Sequence, residues 1–265
     1  MFSIVSISKP QILLAENDFL LVYKPPRMHT SPQAHSPCET LLDWCAVRFP
    51  EIMDLSGRQA GEGGLLHRLD YETHGLMLIA RNTGGMTALL EQQGEGKIIK
   101  EYSAVAAKSQ VLLPGFPVES PIMEDLSQRE LKWHKELKDK LIIQSAFRPF
   151  GPGRKAVRPV LIDNAGTEKP GKLYTTEILE SRQTSAGDLP FQFSFRLRIS
   201  KGFRHQIRSH LAWLGLPIIN DSLYGGLAFG NAFLALRASS LSFNDPSSGK
   251  GMSYSIPQLE LSEIL

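Results

Sequence analysis

Short apolar runs, each bounded by proline, glycine or a polar cluster, restrict this chain to a fold built around a sheet. Phe19 to Tyr23 is one such run, ended by Pro25-Pro26, and Leu76 to Ala80 reads as a buried strand. Lys100 to Ala106 alternates, with Tyr102 and Ala104 on one face and Ser103 and Val105 on the other. Leu173 to Leu179 and Phe191 to Ile199 are further strands, the latter with a clear period of two. Helical patterns fall between them without a regular βαβ repeat. Ser36-Pro37-Cys38-Glu39 has the form of a capping box with Pro at the first helical position, opening a helix through Leu41, Leu42, Cys45 and Phe49 that stops before Pro50. Asn82 is the expected N-cap of a helix through Met86, Leu89 and Leu90, Glu124 to Lys140 reads as a charged, exposed helix, and Arg204 to Leu214 as a helix closed by Gly215 and Pro217. This mixture predicts an α+β fold, a mixed, largely antiparallel sheet flanked by helices and loops, in a single domain over residues 1–265.

Composition narrows the function classes. With 265 residues and 42% apolar content the chain can bury a sizeable core, and no apolar run approaches the roughly 18 residues needed to span a bilayer. Met1 to Pro10 lacks the basic and apolar regions of a secretion signal, and Cys38 and Cys45 read as reduced thiols, so a cytoplasmic location is expected. A net charge of +2 does not announce a nucleic-acid partner, but its distribution is informative. Phe147 to Val160 carries Arg148, Arg154, Lys155 and Arg158 and no acid, on a Pro- and Gly-rich segment expected to stand out as a loop able to contact phosphates.

The candidate chemistry centres on His67-Arg68-Leu69-Asp70, which sets one carboxylate among titratable and cationic side chains at the mouth of the Leu76–Ala80 run. Arg68 precedes Asp70 by two, so on a strand both would share a face. The glycines from Gly57 to Gly64 lack the Lys-Ser or Lys-Thr of a phosphate loop. A carboxylate that works in a closed pocket needs a nearby cation to stay ionised. Arg208 lies at the edge of the apolar stripe Ile207, Leu211 and Leu214 and must find a partner or emerge to solvent, which makes Asp70 its candidate partner. From the bare residues, a structural ion pair without chemistry remains open. Glycosidase chemistry lacks a second carboxylate near a motif, and the H-x4-H spacing of His205 and His210 is a residue too wide for two zinc ligands on adjacent helical turns.

Together these segments resemble the RluA-type RNA pseudouridine synthases. His67 to Gly75 is similar to the family's H-R-L-D-x-x-T-S-G signature, Ile12 to His29 to its opening strand pair with a Lys-Pro turn, and Lys100 to Val105 to its K-x-Y-x-A motif. Lys201 to Leu211 is similar to its G-R-T-H-Q-I-R helix, with Leu216 to Gly225 following, so the likeness covers roughly residues 10 to 240. The resemblance implies a central catalytic cleft and isomerisation of uridines in ribosomal or transfer RNA, with Asp70, Tyr102 and Arg208 as catalytic residues. It also implies RNA or base contacts from Arg68, His67, Arg204, His205 and Gln206, to which the basic segment adds Arg154, Lys155 and Arg158. The reaction needs neither cofactor nor metal. RNA is the expected partner, with no membrane, no obligatory protein partner, a monomeric state and no room for an N-terminal S4-type domain. A catalytically silent RNA-binding protein using the same cleft is the alternative. Three departures bear on RNA contacts and site shape: His74 stands for the family's Ser, Phe203-Arg204 for Arg-Thr, and Pro26-Arg27 for Ala-Gly.

Overall fold

A computed structural model describes residues 1–32, 38–57, 61–109, 113–117, 141–161, 171–184, 192–229, 233–260 and 263. The helix expected over Glu124–Lys140, and Ser36 and Pro37 of the expected capping box, lie outside them. The strands in chain order are β1 (Gln11–Ala15), β2 (Phe19–Lys24), β3 (His74–Ala80), β4 (Ile99–Ala107), β5 (Leu141–Phe150), β6 (Ala156–Val160), β7 (Tyr174–Thr184), β8 (Gln192–Ile199), β9 (Leu236–Asn244) and β10 (Gly251–Ser255). Among the described residues the α-helices are α1 (Leu41–Ala46), α2 (Thr83–Glu95) and α3 (Gln206–Trp213). The chain divides into two compact units, Met1–Glu101 with Arg237–Gln258 and Tyr102–Leu236 with Leu259–Leu265.

In the first unit, β1 and β2 form an antiparallel pair, β3 adds antiparallel to β2, and β9 lies parallel to β3 through His74 opposite Arg237 and Gly75 opposite Ala238. β10 closes the order antiparallel to β9. Every residue of β2 and β3 is buried, as expected for strands covered on both faces. Phe19, Leu21, Tyr23, Leu76, Leu78, Met86, Leu89, Leu241 and Phe243 make the core, with the Phe19 and Phe243 rings edge to face at 5.1 Å. Gly75 has φ +125°, and a Cβ there would stand 2.3 Å from the Ala238 carbonyl oxygen, so the close approach of β3 and β9 needs glycine. Asn82 caps α2 as expected, its Oδ1 accepting from the Gly85 N–H at 2.8 Å, and Gly96 ends it at φ +76°. α1 begins later than expected. Its N-cap is Thr40, which accepts from the Asp43 N–H while the Asp43 carboxylate accepts from the Thr40 N–H. Both S-P-C-E and T-L-L-D read as capping boxes, and the register starting at Leu41 buries Leu41, Leu42 and Cys45.

The second unit takes β4 from Tyr102 onward and orders its strands β4-β8-β7-β5-β6. The β5–β7, β7–β8 and β5–β6 pairs are antiparallel. The basic segment expected to protrude as a loop is instead mostly a hairpin: Ala146 opposes Val160 and Phe150 opposes Ala156, with a tight turn through Pro152–Arg154. Its Val157 is fully buried, and the Tyr224 hydroxyl both accepts from the Val157 N–H at 2.8 Å and donates to the Val157 carbonyl at 3.1 Å. These contacts satisfy a segment whose Pro and Gly content reads as loop. α3 packs on β6 and β7. It is more than a stripe, because all eight residues are buried and its polar members are satisfied internally. Both units mix helices with mainly antiparallel strands, which is the expected α+β class. Among the described residues no helix is long and apolar enough to cross a membrane.

Candidate active site and RNA-binding residues

In the first unit, His67 to Asp70 is not a strand, so Arg68 and Asp70 do not share a strand face. Arg68 is exposed and pairs with Glu62 at 3.2 Å, Leu69 is buried, and Asp70 is half-buried at the start of a turn in which the Thr73 N–H donates to the Asp70 carbonyl at 3.1 Å. Each neighbour of Asp70 is anchored. The Thr30 hydroxyl donates to the Leu69 carbonyl at 2.8 Å and accepts from the Leu69 N–H at 3.2 Å. On the other side the Lys24 ammonium donates to the Tyr71 carbonyl at 3.2 Å. Lys24 also donates to the carbonyls of Pro25 and Met28, at 2.9 and 2.7 Å, so three acceptors meet the three N–H bonds of an ammonium. Burial pulls the amine down to about 7, while the Asp70 and Glu72 charges act in the opposite direction. The grip of Lys24 on the turn after Asp70 has no local signal in the sequence, because 47 residues separate Lys24 from Tyr71.

The surroundings of both histidines of the signature disfavour the charged ring. Burial first, and then the Lys100 charge, push His67 well below its ordinary value, and its Nε2 accepts from the Leu78 N–H at 3.4 Å. His74 is fully buried, and its Nε2 accepts from the Arg237 Nε at 3.1 Å. Burial, Arg237 and Lys24, in that order, hold His74 well below the usual imidazole range. Arg237 in turn donates to the Pro257 and Gln258 carbonyls. The departure at His74 is thus a buried acceptor for an arginine on the neighbouring strand.

In the second unit, Tyr102 is buried on β4. Arg208, almost fully buried, grips Asp221 with two hydrogen bonds, Nε to Oδ2 at 2.7 Å and Nη2 to Oδ1 at 2.8 Å. Asp221 is buried too, and its Oδ1 also accepts from the N–H groups of Leu223 and Tyr224. The Arg208 guanidinium lies over the Tyr224 ring at 5.2 Å. Asp221 and Tyr224 stand in a segment matched from sequence without any role; the acid three residues before Tyr-Gly was the available signal. His205 adopts φ +55° ahead of α3, with Nδ1 3.2 Å from the Tyr224 hydroxyl. Gln206 is buried: Oε1 accepts from the Phe203 N–H, and Nε2 donates to the Thr175 carbonyl and Thr176 hydroxyl. Its amide is taken up in positioning Phe203. His210 is likewise enclosed, with Nε2 2.9 Å from the Ser145 hydroxyl and Nδ1 2.8 Å from that of Thr176, and burial pushes it down to about 3.

The cations of the hairpin lie at its surface. Arg148, Arg154 and Lys155 are exposed, and the exposed Arg204 donates to the Arg154 and Ala156 carbonyls at 2.8 and 3.3 Å. Arg158 sits directly opposite Arg148, donates to the Gly115 carbonyl at 2.6 Å and lies over the Phe150 ring at 5.6 Å.

Residues 18–213, a stretch that includes Asp70, Tyr102 and Arg208, match the family model described as RNA pseudouridylate synthase. The chain is 30% identical over 217 residues to ribosomal large subunit pseudouridine synthase D of Yersinia pestis, covering 81% of this chain and 52% of that protein. To the protein of the same name from Escherichia coli K12 it is 26% identical over 272 residues, covering 96% of this chain and 70% of the relative. The chain spans about half the length of the Yersinia pestis and Haemophilus influenzae relatives. In structure it is similar to human RNA pseudouridylate synthase domain containing 1, with a TM-score of 0.62 and 19% identity over 98% of this chain and 88% of that one.

Proposed function

The chain belongs to the RNA pseudouridylate synthase family, and on that premise we propose that it converts uridine to pseudouridine in RNA, as a single catalytic domain acting in the cytoplasm. The relatives are named for the large ribosomal subunit, which favours ribosomal over transfer RNA as substrate. In the reaction the N1–C1′ bond breaks, the uracil turns, C5 joins C1′, and the proton on C5 leaves while N1 gains one. Asp70 is the proposed carboxylate for this chemistry. The observation that carries the reading is the anchoring of the backbone on either side of Asp70, Leu69 by Thr30 and Tyr71 by Lys24, in a segment matched to the family model, since a reacting group must be held in place rather than merely present.

Arg208, its guanidinium oriented by Asp221 and Tyr224, is the proposed cation of the reaction. Tyr102 is the proposed stacking and proton-handling side chain at C5. The hairpin arginines and Lys155, with Arg68, Arg204 and His205, form the proposed RNA contacts. Arg148 opposite Arg158 gathers two guanidinium groups on one stretch of the hairpin, a spacing suited to RNA phosphates, which supports this reading. The test is tritium release from RNA labelled at C5 of uridine. Wild-type protein should release the label, and Asp70→Asn, which keeps the shape and loses the charge, should not while still binding RNA within about 1 kcal/mol. Release by the Asn variant would remove Asp70 from the mechanism, and binding without release by the wild type would establish a silent RNA-binding protein instead.

A further inference from the structure

Phe203 stands where the family motif has arginine, and its surroundings are aromatic. Its ring lies parallel to that of Phe147, at an interplanar angle of 6° with centroids 5.1 Å apart, and 5.0 Å from Tyr174. Phe147 is also 6.0 Å from Tyr174 and 4.8 Å from the fully buried His210 ring. The cluster thus runs from a ring fixed in the interior to three rings that are each partly exposed. Its floor is held in place by hydrogen bonds, because both His210 nitrogens lie within hydrogen-bond distance of hydroxyls. Its two sides are registered by one residue: Gln206 accepts from the Phe203 N–H and donates to the Thr175 carbonyl, next to Tyr174. A pure packing role would bury such rings. These instead keep exposure and have cations around them, with the Lys172 amine 5.5 Å from the Tyr174 ring centre, Lys172 and Arg204 exposed, and Lys201 partly so.

We propose that Phe147, Tyr174 and Phe203 form a stacking platform for an unpaired base of the RNA, with Lys172, Lys201 and Arg204 toward its phosphates. Aromatic faces rimmed by positive charge match a single-stranded nucleotide, whose base offers a π-face and whose backbone is anionic. The placement of Gln206 prepares the platform before RNA arrives, so little ordering is required on binding. The inference rests on RNA being the substrate and adds where an unpaired base is held.

The test uses the full chain and a single-stranded RNA oligonucleotide carrying 2-aminopurine, with a fully duplex RNA of equal length as control. Phe203→Ala and Phe203→Leu should each weaken single-strand binding by roughly 5- to 150-fold, the range expected for losing one stacked base, and should lessen the stacking-dependent quenching. Duplex binding should be unchanged, and Phe203→Trp should restore the single-strand affinity. Leu keeps apolar volume at the site, so a Leu variant that binds as the wild type does would overturn the platform. Self-association that depends on Phe203, with RNA affinity unaltered, would assign the patch to a second copy of this chain and overturn it too. If the wild type bound and isomerised RNA yet was indifferent to these changes, the platform alone would fall; if it bound neither RNA, the proposed function would fall with it.

Discussion

Replacing Asp221 by Asn tests whether the second unit is organised around one buried carboxylate. Both of its oxygens accept from donors, Oδ2 from the Arg208 Nε and Oδ1 from the Arg208 Nη2 and two backbone N–H groups. An amide at the same position must turn its NH2 toward one of these donor sets, so whichever way it points a donor meets a donor. It also leaves Arg208 charged and almost fully buried beside a neutral group. Breaking a buried pair from one side costs about 3 to 5 kcal/mol. Urea unfolding at neutral pH, followed by fluorescence and by far-UV circular dichroism, reads the loss. Arg208→Met should cost a comparable amount, and the double variant should cost less than the two single losses added, with a coupling on the order of 0.5 to 3 kcal/mol. A stability of Asp221→Asn within about 1 kcal/mol of wild type, or strict additivity in the cycle, would refute the reasoning.

The other expectations concern single contacts. Tyr102→Phe keeps the ring and removes the hydroxyl, so it should bind RNA but release the C5 proton about a hundredfold to ten-thousandfold more slowly; near-normal rates for both Phe and Ala at this position would remove Tyr102 from the site. Neutralising Arg148, Arg154, Lys155 and Arg158 together should flatten the salt dependence of RNA binding by about 0.7 to 0.9 log units per lost phosphate contact, and an unchanged slope would return the hairpin to a solvated surface. Lys24 gives a pH signature: its folded value of about 7 lies below the ordinary 10.5, so between those limits the unfolded chain holds more protons and stability contributed by this group rises with pH. In urea titrations across that window, Lys24→Met should lose this part of the slope, and a pH dependence identical to wild type would count against it.

What was legible from sequence follows from how local each determinant is. β2 and β3 show themselves as apolar runs because both are buried on both faces, and α2 because its cap and terminating glycine are adjacent to it in the chain. The hairpin of β5 and β6 was hidden because Pro and Gly punctuate it, and the groups that make it a hairpin, Tyr224 and Ser209, lie 67 and 52 residues from Val157. The amphipathic reading of α3 caught Ile207, Leu211 and Leu214 but not the burial of Gln206, Arg208, Ser209 and His210, whose partners come from other elements. Of the proposed catalytic residues, Asp70, Tyr102 and Arg208 were each visible in a sequence motif. Lys24 and Thr30 as anchors, and Asp221 as the carboxylate gripped by Arg208, were not, since each acts through a tertiary contact that leaves no periodicity behind.

The Tyr224 hydroxyl on Val157 has a meaning beyond the hairpin it steadies. Among the described strands β6 stands last in its sheet order, and an end strand displays backbone donors and acceptors on which an extended chain can template itself. Here one phenol occupies both the N–H and the C=O of the central buried residue, while Ser209 donates a second hydrogen bond to that carbonyl. This stretch of β6 is therefore shielded by side chains from within its own fold, and the arginines beside it stand at the surface without offering a sticky edge.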